Sequence, residues 1–121
     1  MSQPIVYDSG ALVALFNAHP IALAYWERAD QGGLNLVFPA SAIADANVSL
    51  GASYNAWSVL LWPETVNVAP LDASAAIEAG LRHRHDLATS HVVHETQSVR
   101  GIVLTSAPDR YSGATVPVLV L

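Results

Sequence analysis

The chain opens with a short apolar run that ends on a carboxylate and passes at once into a longer apolar stretch: Ile5-Val6-Tyr7-Asp8-Ser9-Gly10-Ala11-Leu12-Val13-Ala14-Leu15. The first run has the length of a buried strand. The second continues too long without alternation to be another one, so it reads as a helix entered through a turn at Asp8-Ser9-Gly10. Where this strand-to-helix unit recurs, the strands must run parallel, with the helices covering the sheet they leave.

It does recur. His19-Pro20 breaks the first helix, and Ile21 to Asp30 reads as a second one stopped at Gly32-Gly33. Leu34 to Phe38 is strand-like, Pro39-Ala40-Ser41 offers a break with a capping hydroxyl, and alanine-rich Ala42 to Tyr54 has helical character. Val66 to Leu71 alternates, and Asp72 to Ser74 supplies a cap for a helix from Ala75 to Arg82. A further helix spans Leu87 to Val99, Gly101 ends it, Ile102 to Thr105 is a buried strand, and a loop through Pro108 and Gly113 leads to a last strand, Val116 to Leu121. The expected architecture is α/β, with a mostly parallel, doubly wound sheet. Trp57 to Trp62 is apolar and fits either the end of the preceding helix or the start of another.

A length of 121 residues suits a single domain, 1–121, and a composition of 52% apolar and 12% charged residues is that of a chain that folds. No apolar run reaches the ~20 residues of a membrane span, and Met1-Ser2-Gln3-Pro4 lacks the basic segment of a signal peptide, so a cytoplasmic protein is expected. There is no cysteine, which leaves carboxylate, imidazole and neutral oxygen as the available metal ligands. The formal charge is −5, from ten acids against five arginines, so the overall field repels nucleic acid and any RNA contact must be local. The stretch from Arg82 to Arg100, with His83, His85, His91 and His94, is the one candidate basic surface.

In open parallel sheets the working crevice lies beyond the carboxyl ends of the strands, which gives weight to acids that follow strands. Asp8 has that position. Asp45 comes a few residues after the second strand, Asp86 begins the long helix near the C-terminus, and Asp109 follows the fourth strand. Four converging carboxylates would need cations to hold them together, and hard oxygen ligands favour Mg²⁺ or Mn²⁺. The same residues also suit simpler roles, with Asp8, Asp45 and Asp86 as helix caps and Asp109 as a turn residue after Pro108. His91 and His94 lie three apart on one helix beside Glu95, an incomplete transition-metal pattern that also fits surface or partner-facing histidines. Trp57, Leu60, Leu61 and Trp62 read as core, or else as a contact for another protein. Gly32-Gly33 follows a helix, so it is no phosphate-binding loop.

The opening segment, with its hydrophobic-Asp-Ser-Gly-Ala-Leu pattern, resembles that of PIN-domain proteins, among them the toxin halves of VapBC-type toxin–antitoxin pairs. The similarity continues through Leu36 to Asn47, Leu87 to Val99, Gly101 to Thr105 and Val116 to Leu121. It implies a PIN-like three-layer fold with a parallel sheet of about five strands flanked by helices. It also implies acids gathering Mg²⁺ or Mn²⁺ for hydrolysis of an RNA phosphodiester, an antitoxin partner, and a homodimer. Asp8 matches the first family acid, and Asp45 stands where the family usually has Glu in an Ala-Glu pair. Asp86 lies three residues before Thr89, the position nearest the third acid. After the fourth strand the family commonly reads Leu-Thr-x-Asp, whereas this chain reads Leu104-Thr105-Ser106-Ala107, with Asp109 two residues late. Two readings follow: a metal-dependent endoribonuclease built on Asp8, Asp45 and Asp86, or a catalytically degenerate module that works through a protein, nucleic-acid or nucleotide partner.

Overall fold

A computed structural model describes residues 3–82 and 85–121. His83, part of the basic stretch expected from the sequence, lies outside the described residues. Five strands, β1 (Ile5–Tyr7), β2 (Leu36–Pro39), β3 (Val66–Ala69), β4 (Ile102–Thr105) and β5 (Val118–Val120), form one sheet in the order β3-β2-β1-β4-β5. Every pairing is parallel, with Ile5 opposite both Leu36 and Ile102. Among the described residues six helices flank it: α1 (Ser9–Phe16), α2 (Pro20–Asp30), α3 (Ala40–Leu50), α4 (Tyr54–Leu61), α5 (Ala73–Gly80) and α6 (Leu87–Val99). Among the described residues no helix is long and apolar enough to cross a membrane.

This strand order fixes where a site can form. From β1 the chain winds outward through β2 and β3, then returns to the other side of β1 as β4. The direction of winding reverses between β1 and β4, and a crevice opens there beyond their carboxyl ends. The central strands are apolar, apart from a buried Thr105 at the end of β4, because both faces are covered, and Val6, Tyr7, Leu36, Phe38, Val103 and Leu104 are buried. Tyr7 shows how a polar atom is accommodated in that core. Its ring packs 5.1 Å from Phe38, its hydroxyl donates to the Ala22 carbonyl at 2.7 Å, and burial, then the nearby Tyr25, raises its pKa.

Several boundaries differ from the sequence reading. No separate turn precedes α1, because Asp8 itself is the N-cap and the helix begins at Ser9. The expected helix from Ala42 to Tyr54 starts earlier and is two helices: Gly51 adopts a left-handed conformation (φ 58°) and ends α3, and Ser53 caps α4, whose Tyr54–Leu61 span takes in most of the unassigned tryptophan-rich run. The expected break at Pro39-Ala40-Ser41 is absent. β2 runs straight into α3, Pro39 provides no side-chain cap, and the Ser41 hydroxyl turns to His91 instead. Gly101 does more than end α6. Arg100 takes the left-handed cap position, while a Cβ on Gly101 would lie 2.6 Å from the Pro4 carbonyl oxygen, so glycine is what lets β4 begin beside β1.

Candidate functional site

Asp8 leaves the end of β1 in an extended conformation, and its Oδ1 accepts the Ala11 backbone N–H at 2.9 Å, which caps α1. Its Oδ2 accepts the Tyr111 hydroxyl at 2.9 Å. The side chain is therefore held at both oxygens and is only 5% exposed. Tyr111 arrives from a 3₁₀ turn, Pro108–Tyr111, that follows β4. Burial, then the Asp8 charge and hydrogen bond, push the Tyr111 pKa up, so the phenol remains a donor. The loop after β4 closes over α1 at Gly10, where a Cβ would stand 2.7 Å from Ser106 Oγ.

The other acids line the crevice at separate points. Asp8 and Asp45 border one cavity of about 200 Å³ together with Ser106, Ala107 and Arg110. Asp45 and Asp86 border a second, about 430 Å³, between α3 and α6, walled by Ser41, Leu71 and Leu87. Asp86 and Asp109 border a third, about 470 Å³, with Thr89 and again Arg110. Asp45 and Asp86 thus link neighbouring cavities, whereas Asp109 shares none with Asp8. Asp45, Asp86 and Asp109 are exposed.

Asp86 caps α6 by accepting the Thr89 N–H at 2.7 Å. Its partial burial acts to raise its pKa, but the Thr89 hydrogen bonds and the charges of Arg110 and His85 outweigh that and hold it below the ordinary aspartate value. Thr89 itself is buried. A divalent ion needs several hard oxygens facing one point; each Asp8 oxygen already accepts one hydrogen bond, and the Ala107 side chain supplies no ligand. Among the described residues, no three His, Cys, Asp or Glu side chains are grouped to hold an ion.

The same holds for the His91, His94 and Glu95 group. His91 is not part of a basic surface: it is fully buried, with Nδ1 at 3.0 Å from Ser41 Oγ and Nε2 at 3.3 Å from Glu95 Oε2. Burial lowers its pKa against the opposing pull of Glu95. The tryptophan-rich run divides by helical phase. Trp57 is core, at 4% exposure, and stacks edge-on against Phe16 with centroids 4.6 Å apart, while Trp62 is 85% exposed and so departs from the core reading.

No protein-family model matches the chain, and no curated protein matches it. Solved structures do. A chain of the VapBC2 complex from Rickettsia felis, bound to a promoter DNA fragment, superposes with a TM-score of 0.70 at 11% identity, over 98% of each chain. A toxin–antitoxin complex from Klebsiella pneumoniae gives 0.67 at 15% identity over 96% of each chain. FitAcB from Neisseria gonorrhoeae gives 0.62 at 14% identity, over 95% of this chain and 96% of the other. The chain has a PIN-like fold. At such identities the likeness concerns the backbone, and the PIN-like crevice of this chain has to be judged on its own residues. The sequence reading missed Tyr111 and Arg110, which matter most to it. Pro108 marks a turn but gives no sign that residue 111 returns to residue 8, because a contact across 103 positions leaves no local spacing signal.

Proposed function

We propose that this chain is a toxin-type PIN-like module that acts by binding a protein partner of the antitoxin kind, and that it has given up metal-dependent RNA cleavage. The observation that carries this reading is the state of Asp8, whose two oxygens each accept a hydrogen bond from within the fold, from the Ala11 amide and the Tyr111 hydroxyl, so that the carboxylate serves as a structural tie. Thr89 and Ala107 stand nearest the third and fourth family acid positions, and the Arg110 cation borders both the Asp8–Asp45 cavity and the Asp86–Asp109 cavity. A cation there offsets the carboxylates electrostatically, which is the task an ion would otherwise perform. The similarity to toxin–antitoxin complexes supports a protein partner. So does an apolar groove between α2 and α4, bordered by Trp26, Val59 and Trp62, of which Val59 and Trp62 are strongly exposed. We further take residues 1–121 to act as one domain and to form a homodimer.

A second reading, retained cleavage through Asp8, Asp45 and Asp86 with Mg²⁺ or Mn²⁺, is favoured by one observation: Asp8 and Asp45 border a common cavity with Ser106. One assay separates the two. The purified protein is titrated with Mn²⁺ and Mg²⁺ in thermal melts and incubated with mixed RNAs, with Asp8→Ala as control. The binding-module reading expects no ion-dependent shift and no cleavage, together with a stable complex on co-expression with an antitoxin-like protein. Ion-dependent cleavage that disappears in Asp8→Ala would overturn it in favour of the nuclease.

A further inference from the structure

Ser41, His91 and Glu95 stand in line. Ser41 Oγ lies 3.0 Å from His91 Nδ1, and His91 Nε2 lies 3.3 Å from Glu95 Oε2. The Ser41 backbone assigns the tautomer, because its N–H donates to the same Nδ1 at 3.4 Å. Nδ1 therefore presents a lone pair, and the ring proton sits on Nε2, which is buried 3.3 Å from Glu95 Oε2 without a well-aligned hydrogen bond to it. The basic nitrogen meets the serine hydroxyl, and the protonated one has a carboxylate beside it that a small ring rotation would engage. That is the logic of a general base held in orientation beside a nucleophile.

The surroundings suit a nucleophile. β2 passes into α3 without an intervening loop, so Ser41 sits in the first turn of an eleven-residue helix at the carboxyl edge of the sheet. Pro39 caps that turn with no side-chain hydrogen bond. The positive end of the helix thus lies beside Oγ, where it favours a developing oxyanion. His91 is fully buried and Ser41 is half-buried at the cavity of about 430 Å³. Ala40, Ala44, Leu71 and Leu87 give that cavity apolar walls, and Asp45 and Asp86 give it two carboxylates.

We propose that Ser41, His91 and Glu95 form a serine-hydrolase site, and that it takes esters joining a short aliphatic acyl group to a cationic alcohol. The apolar walls receive the acyl chain and the two carboxylates attract the cation. Oγ bonds to the acyl carbon while its proton passes to Nδ1. Collapse of the adduct breaks the ester C–O bond, and the departing alcohol takes the proton from Nδ1. Water then repeats the sequence on the acyl-serine, releasing the carboxylic acid and restoring Ser41, with no further reactant. Glu95 is a positioning residue acting through His91. The groups that face the imidazole are Glu95 and His94 on its own helix, Ser41 on α3 and the Pro70 carbonyl after β3. Burial lowers the His91 pKa, which keeps the ring neutral and ready as a base near pH 7.

The test treats the whole protein with a fluorophosphonate, maps the adduct by peptide mass spectrometry, and follows hydrolysis of butyrylcholine and its uncharged isostere 3,3-dimethylbutyl butyrate by pH titration in the presence of EDTA. We expect one adduct, on Ser41, and faster turnover of the cationic ester. Ser41→Ala and His91→Gln should each lower turnover by at least about 10²-fold. Glu95→Gln should lower it and also move the midpoint of the pH–rate profile downward, since the carboxylate that raises the His91 pKa is gone; a merely structural glutamate would leave the midpoint in place. Absence of an adduct, or an adduct confined to another serine, overturns the proposal, and equal turnover of the two esters overturns the cationic assignment. Mapping on the unaltered protein keeps the result independent of how the variants fold, and EDTA keeps it independent of any metal-dependent cleavage.

Discussion

The starts of α1 and α6 use the same local device, and the fold makes different things of it. Asp8 and Asp86 each accept the N–H three residues on, from Ala11 at 2.9 Å and Thr89 at 2.7 Å. Asp86 remains exposed, so its cap is screened by water and its charge answers to Arg110 and His85. Asp8 is buried and spends its second oxygen on Tyr111, which ties the first strand to the segment after the fourth. An exposed cap contributes about 1 kcal/mol. A hydrogen bond to a charged group contributes about 1.5–3 kcal/mol, and removing one partner strands the other without solvent. One aspartate is thus a local cap and the other is a cap and a tie across the crevice.

The largest test of this contrast is Asp8→Ala, which removes the cap and leaves the Tyr111 hydroxyl buried without its acceptor. Urea unfolding should show a loss of about 2–4 kcal/mol, and a loss no larger than that of Asp86→Ala would erase the distinction. Tyr111→Phe comes next. It keeps the ring and the cap but strips Asp8 of a donor, so about 1–3 kcal/mol should go; an unchanged unfolding midpoint would mean that the tie contributes nothing. Because Asp8 and Tyr111 share one bond, the double variant should lose less than the sum of the two single losses.

The crevice wall offers a test by pH. His91 has a lowered pKa in the fold, so below the ordinary histidine value of about 6.5 the unfolded chain binds the extra proton first. Stability should fall as pH drops through that window, and level off once the folded protein is protonated too. His91→Gln should flatten the profile, and a wild-type curve that is flat between about pH 7 and pH 5 would contradict it.

The smallest effect belongs to Asp86→Ala, about 0.5–1 kcal/mol at neutral pH. Asp86 has a depressed pKa, so its contribution is complete above the unfolded value of about 3.9 and is lost as pH falls through the lower folded value. Its variant should therefore converge with the parent protein only in strong acid, whichever measure of unfolding is used.

Local chemistry settled most elements of this chain, though not the division of α3 from α4 at Gly51. Ile5–Tyr7 and Ile102–Thr105 read as buried strands because a covered parallel sheet demands unbroken apolar runs, and Leu87–Val99 was bounded by its own cap and stop residues. The position of Asp8 at the end of the first strand was equally readable, since a strand followed at once by a helix leaves its last residue at the crevice. What each side chain does there was decided by residues far away in sequence. Tyr111 returns over 103 positions to occupy Asp8, and Ser41 finds His91 over 50. Propensity and periodicity are properties of neighbours along the chain, whereas the second hydrogen bond of a buried carboxylate and the tautomer of a buried imidazole depend on which groups the packed sheet and helices bring within about 3 Å.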